Sequence, residues 1–239
     1  MKILLVSFFL ILPGLAIVAQ ERYPIDQIAY NKLQEAFSNA DMINAEKEAY
    51  NRWDQLLNIV YGEAEKQMQP ATYSALRESQ RAWLKYRDEE LKVINRLYYA
   101  ELQGTMWYAP AAAARKRLVR KRVLTILDQL SLLTMQTEEE TPDIIGKWVS
   151  TRTDDKTTIL EIREDYTLVW SDQSTDRYDI AFYSMSGECP NSSTKEDENI
   201  ITLIKPGTTP EKCCYFLRFD STSLELRTTD GTTSSWSRR

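Results

Sequence analysis

The spacing of apolar residues changes from a helical repeat to a strand repeat near Ile144. Before that point, apolar side chains recur every three or four residues, as on one face of a helix. After it they alternate, as at Tyr166, Leu168 and Trp170, with turn signals between the runs. The 239-residue chain is long enough for two small domains. We therefore predict an α+β protein in two domains, an antiparallel helical bundle followed by a small antiparallel β-barrel or sandwich of seven or eight strands.

Composition sets the predicted boundaries. Residues 1–19 combine a basic start, an apolar run and a small residue, which is typical of a cleaved secretory signal peptide. Residues 21–135 are the predicted helical domain, the acidic stretch 136–143 the linker, and residues 144–239 the β domain. The protein is therefore expected to be exported, to the periplasm or the extracellular space. Because no later run reaches 18 apolar residues, we expect no transmembrane span.

Cap and breaker residues divide the helical domain. Asp41 is the predicted N-cap of a helix that reaches about Met68. Pro70 suits the first turn of the next helix, which continues to about Glu101. A last helix opens or bends at Pro110 and ends near residue 133.

The second long helix has polar residues inside its apolar face. Positions 76, 80, 83, 87, 91, 94 and 98 share one face and are Leu, Gln, Trp, Arg, Leu, Ile and Tyr. A buried amide or guanidinium is costly unless it has a partner, so Gln80 and Arg87 require acceptors from another segment. Asp54 and Asn58, one turn apart on the preceding helix, are the predicted partners. These two helices are predicted to form the centre of the protein.

The same residues resemble the signature of LprI-type lysozyme-inhibitor domains, which reads Leu-Asn-x-x-Tyr, a spacer, and Leu-x-x-x-Gln-x-x-Trp-x-x-Tyr-Arg-Asp. The segment Gly104-Thr105-Met106, with Leu118 and Arg122 after it, resembles the family's third section. The resemblance covers about residues 41–134, and Leu91 stands where the family commonly has a cysteine. It implies a helical domain that binds a lysozyme, and its binding or structural residues are Asp54, Asn58, Tyr61, Gln80, Trp83, Tyr86, Arg87 and Asp88.

The second domain opens with Gly146-Lys147-Trp148, which resembles the Gly-x-Trp start of lipocalin-like domains. Such a barrel could hold a small apolar ligand, or its interior could be filled by its own side chains. The chain has three cysteines, Cys189, Cys213 and Cys214, which should oxidise after export. Adjacent strand residues point to opposite faces, so only one of Cys213 and Cys214 can meet Cys189. The lipocalin-like resemblance implies the pair Cys189–Cys214.

Charge is unevenly distributed. Residues 21–137 hold 17 basic and 15 acidic residues, whereas residues 138–239 hold 12 and 20. An acidic module suits cationic partners and argues against nucleic acid. The last helix nevertheless has a predicted basic patch, which is either a contact for an anionic surface or a solvated face balanced by acidic neighbours: Arg115, Lys116, Arg117, Arg120, Lys121 and Arg122.

The chain contains no histidine, which excludes histidine metal sites and nucleophilic pairs that depend on an imidazole base. We therefore expect no enzyme, no metal site and no cofactor. The predicted function is that of an exported, non-catalytic binding protein of the cell envelope, a lysozyme inhibitor or a binder of another cationic cell-wall protein. The alternative is a carrier or sensor of a small apolar ligand held in the barrel.

Overall fold

The computed structural model describes residues 23–134, 144–151, 158–175, 177–185, 199–206, 211–228 and 231–239. The predicted signal peptide and linker lie outside these ranges, as does Cys189. Cys213 and Cys214 are described only as backbone of one strand, so the predicted disulfide also lies outside the described residues.

Four helices precede the sheet: α1 (Pro24–Gln34), α2 (Asn39–Gln67), α3 (Pro70–Asn95) and α4 (Tyr108–Thr134). Between α3 and α4 lie a π-helical segment (Arg96–Glu101) and a 3-10 turn (Thr105–Trp107). The connection turns at Gly104, whose φ of 109° favours glycine.

The start of α2 differs from the prediction. Ser38, not Asp41, is the N-cap, and the Asp41 backbone N–H donates to Ser38 Oγ over 3.1 Å. In return, Ser38 N donates to Asp41 Oδ2 over 2.9 Å, which completes a capping box. The prediction was wrong because an aspartate three residues into a helix resembles an N-cap when the reciprocal bond is not visible. At α3, by contrast, Pro70 occupies the first turn as predicted.

The centre of the bundle is the pair α2 and α4, not the predicted pair α2 and α3. The core between them contains Trp53, Leu56 and Val60 from α2 with Val123 and Ile126 from α4, all fully buried. Several small residues of α2 and α4 are also buried, among them Ala49, Ala64 and Ala112. Small side chains allow two helices to approach closely, and α3 is left to pack on the side of this pair.

Eight antiparallel strands form a closed barrel: β1 (Gly146–Ser150), β2 (Thr158–Ile162), β3 (Thr167–Asp172), β4 (Arg177–Met185), β5 (Asn199–Lys205), β6 (Glu211–Phe219), β7 (Ser223–Thr228) and β8 (Thr233–Arg238). Each strand pairs with the next, and β1 pairs with β8, where Trp148 lies opposite Arg238. The α+β class is therefore confirmed, and the β domain is a barrel rather than a sandwich. Alternate residues point inward, as at Trp148, Leu160 and Leu224.

The outer face of β3 and β4 packs against the helices. Val169, Ile180 and Phe182 are buried in the same cluster as the bundle core, because alternate residues of these strands point away from the barrel interior. Polar contacts surround this junction: Ser184 Oγ donates to the buried Glu63 over 2.6 Å, and Gln67 Nε2 donates to Tyr166 Oη over 2.7 Å. The outer face of these two strands is therefore part of the bundle core, whereas the interior of the barrel forms a second hydrophobic cluster.

Among the helices that the structure describes, none combines the length and the hydropathy needed to cross a membrane.

Candidate functional site

Half of the eight motif residues meet in a half-buried seam between α3 and the α2–α4 pair. We call it the motif seam and define it by one residue of α2, four of α3 and one of α4: Asp54, Ser79, Gln80, Trp83, Arg87 and Arg122. On α3, Gln80, Trp83 and Arg87 follow one another at intervals of about one turn, and Ser79 is next to Gln80. The contacts of α2 and α4 decide which of these groups find partners.

The Trp83 ring lies close to guanidinium groups from two helices. Arg87 Cζ is 5.6 Å from the ring centroid, and Arg122 Cζ is 5.9 Å from it. Both distances are within the range of a cation–π interaction, and Trp83 itself is partly buried against the bundle core. The indole therefore joins α3 to α4 without being enclosed.

Gln80 finds its partner on α4. Arg122 Nε donates to Gln80 Oε1 over 2.8 Å, and Arg122 Nη2 donates to Ser79 Oγ over 3.3 Å. Arg122 is 9% exposed, and burial lowers the pKa of its guanidinium while the nearby Tyr61 opposes that shift. The requirement for a partner followed from the sequence. The helix that supplies the partner did not, although Arg122 stands in the third section of the family resemblance.

Arg87 lies between two carboxylates. Its Nε and Nη2 donate to Asp88 Oδ1 over 3.2 and 3.0 Å, and its Nη1 is 4.0 Å from Asp54 Oδ1. Burial raises the pKa of Asp54, and the Arg87 charge offsets part of that increase. Asn58, the alternative partner, is exposed and donates through Nδ2 to the Asp54 carbonyl of its own helix over 3.0 Å. The structure thus brings Arg87 towards Asp54 and directs Asn58 elsewhere.

Tyr61 contacts a residue that the sequence did not single out. Its ring centroid is 5.7 Å from that of Tyr73 near the start of α3. A hydrogen bond to Tyr61, together with burial and the nearby Glu65 charge, raises the pKa of Tyr73 to about 12. The pair therefore links α2 to the first turns of α3, and the Tyr73 phenol stays protonated over the physiological range.

Two motif residues point away from the seam. Tyr86 is 54% exposed, and the Asp88 side chain is 61% exposed even though it accepts hydrogen bonds from Arg87. The bundle does not enclose either side chain. They are the members of the motif that a partner could reach.

The residues of the predicted basic patch turn towards different neighbours. Lys116 Nζ is 2.8 Å from the buried Glu46 of α2, and Arg120 Nε donates to Asp26 of α1 over 2.7 Å. Arg115 donates to Asn95 next to the π-helical segment, and Arg122 belongs to the motif seam. The two exposed members are Arg117 and Lys121.

A second candidate site is a groove of about 460 Å³ where Tyr23 meets the start of β1 and the turn between β2 and β3. Its charged walls are already engaged: Glu161 is 2.6 Å from Arg163 and 3.4 Å from Lys147. Asp165 accepts a hydrogen bond from the Thr167 backbone N–H over 3.1 Å. We interpret this groove as the rim of the barrel, stabilised by its own ion pairs.

Comparison with known families identifies the helical part. Residues 30–125 match the model of the family described as "Lysozyme inhibitor LprI". The match confirms the resemblance that the motif predicts, and we call the helical part the LprI domain after it. The LprI domain thus runs from α1 into α4 and contains the whole motif seam, whereas the barrel lies outside the match. The lipocalin-like resemblance of the β domain is consistent with its eight-stranded barrel. No curated protein matches the chain.

The family indicates a protein-binding function of the lysozyme-inhibitor kind. The geometry of the LprI domain agrees with such a function, since the seam fixes α3 on the α2–α4 pair and leaves Tyr86 and Asp88 accessible. Exposed aromatic side chains such as Tyr86 are enriched at protein interfaces.

Proposed function

We propose that this protein is an exported, non-catalytic factor of the cell envelope whose LprI domain binds and inhibits a lysozyme or a similar cationic cell-wall hydrolase. The observation that carries the proposal is the coincidence of the family match with the motif seam. The predicted signal peptide at residues 1–19 supports the location. An inhibitor needs a rigid surface and no chemistry of its own, which agrees with a chain that contains no histidine.

The acidic β domain supports a cationic partner. Residues 138–239 carry 20 acidic and 12 basic residues, and the outer face of β3 and β4 packs into the core of the LprI domain. The net negative charge of this half of the chain would accelerate the encounter with a positively charged enzyme. Such steering is weakened by salt, since the Debye length falls as ionic strength rises.

The packing of the barrel gives less support to the carrier alternative. Inward positions of all eight strands are filled by large side chains that are at most 8% exposed, among them Trp148, Tyr183 and Trp236. An apolar ligand would have to displace this cluster. A binding surface on the LprI domain requires no such rearrangement.

A direct test is to titrate the purified protein against egg-white lysozyme and follow the clearing of a cell-wall suspension. We expect the rate to fall as the protein concentration rises, and the inhibition to weaken in about 0.5 M salt. An unrelated acidic protein of similar net charge is the control for simple electrostatic association. An unchanged lysozyme rate at every protein concentration would refute the proposal.

A further inference from the structure

Helix α1 is anchored through its first two turns. Pro24, Ile25 and Ala29 are buried, whereas Tyr30 and most of the residues that follow it in α1 are exposed. A helix of 11 residues is too short to be stable by itself in water, so α1 depends on the surface against which it packs. We call residues 23–29, which make the anchoring contacts, the clasp.

Asp26 joins the clasp to two other helices. Its Oδ1 accepts a hydrogen bond from Trp53 Nε1 of α2 over 3.2 Å, and its Oδ2 accepts one from Arg120 Nε of α4 over 2.7 Å. Arg120 Cζ also lies 5.4 Å from the ring centroids of both Tyr23 and Trp53, within the range of a cation–π interaction. The Asp26 side chain is only 19% exposed, so these charge-assisted bonds are partly shielded from water.

The clasp also contacts the barrel. Ile25 is fully buried in the hydrophobic cluster that contains Val169, Ile180 and Phe182 of β3 and β4. Tyr23 lies in the groove at the barrel rim, beside the start of β1 and the turn between β2 and β3. One short segment therefore contacts α2, α4 and the barrel together.

The second half of α1 is held more weakly. Lys32 pairs with Glu48 of α2, but the two side chains are 45% and 38% exposed, and an ion pair so open to water adds little stability. Arg52 lines the same shallow depression between α1 and α2, and its Nη1 is buried without a hydrogen-bond partner among the described residues. A buried and unsatisfied N–H group costs free energy, which is recovered if α1 opens and admits water.

We infer that the clasp is a conformational device that couples the barrel to the LprI domain. While it is closed on Trp53 and Arg120, β3 and β4 are held against the α2–α4 pair; when it opens, they are loosened while the pair stays folded. Trp53 and Arg120 lie within the residues that match the LprI family, whereas the clasp precedes them. The LprI domain thus supplies the groups that the clasp binds, and the clasp controls how firmly the barrel is attached.

Hydrogen exchange of the purified protein, followed by mass spectrometry, tests this device in wild type and in Asp26→Ala, which removes both acceptors of the clasp. We expect exchange to be at least about tenfold faster in α1, β3 and β4, because opening no longer breaks two charge-assisted hydrogen bonds. The middle of α2 and of α4 should keep wild-type exchange. The matched control is Gln27→Ala, since the Gln27 side chain donates to Asn31 of its own helix, and it should exchange as wild type does.

A milder variant keeps the test decisive if Asp26→Ala does not fold. Asp26→Asn retains an acceptor for Trp53 but removes the charge that Arg120 binds, so it should accelerate exchange in the same segments to a smaller extent. Faster exchange in α1 with unchanged β3 and β4 would overturn the inference, because the clasp would then not hold the barrel. Equal acceleration throughout α2, α4 and the barrel would also overturn it, since that result indicates a general loss of stability, as would wild-type exchange in both variants.

Discussion

Trp83 combines a contact that is local in the sequence with one that is not. Arg87 is four residues away on the same helix, so its approach to the indole ring follows from helical geometry alone. Arg122 comes from a helix that begins 25 residues later, and its position depends on how α4 packs against α2. At the scale of single residues, the motif thus predicts which polar groups need a partner. It identifies only some of the residues that supply one.

The bond between Arg122 and Gln80 gives the first prediction. Replacing Arg122 with Met should lower the free energy of unfolding by about 1–3 kcal/mol, because Gln80 and Ser79 lose a charged donor in a half-buried site. Urea denaturation measures the change. Arg117→Met, at an exposed position of the same helix, is the matched control and should change stability by less than about 0.5 kcal/mol. Equal effects of the two substitutions would show that the seam adds nothing to stability.

At the scale of elements, the helices differ in how strongly they are held. Helices α2 and α4 pack along their lengths, with Trp53, Val60 and Ile126 fully enclosed. Helix α3 depends on two buried residues and on the polar contacts of the motif seam. Local stability follows buried apolar contact, so α3 should open before the other two.

Hydrogen exchange tests this difference. We expect the backbone amides in the middle of α3 to exchange faster than those of α2 and α4, through local opening that leaves the α2–α4 pair folded. The substitution Arg122→Met should accelerate exchange in α3 more than in α2. Uniform protection across the three helices would mean that the bundle opens only as a whole.

At the scale of the whole molecule, the bundle and the barrel are in direct contact. In the sequence they are distinguished by the spacing of apolar residues, which changes from a helical to a strand repeat. The linker prediction implied a tether between independent modules. In the structure, Phe182 on the outside of the barrel is fully buried against the helical core, and Glu63 of α2 accepts a hydrogen bond from Ser184 of β4. The barrel is consequently packed against the helices rather than tethered to them.

Removing the Phe182 ring should affect both parts together. Phe182→Ala is expected to lower the free energy of unfolding by about 3–5 kcal/mol, through lost burial and the cavity that remains. Tyr178→Ala is the control, because Tyr178 is on the same face of β4 and is 38% exposed. Helical and sheet signals should shift to the same lower melting temperature in circular dichroism. A shift of the sheet signal alone would mean that the bundle does not depend on the barrel.

The sequence by itself determined the α+β class, the strand repeat, the helix break at Pro70, and the motif that resembles LprI domains. These features are set within one or two turns of the chain, by backbone stereochemistry and by the spacing of apolar side chains. Tertiary structure alone decided that α4 rather than α3 is the main partner of α2, that Arg122 satisfies Gln80, and that β3 and β4 dock on the helices. These pairings depend on which surfaces pack most closely when residues far apart in the chain meet. The local spacing of apolar residues does not determine them.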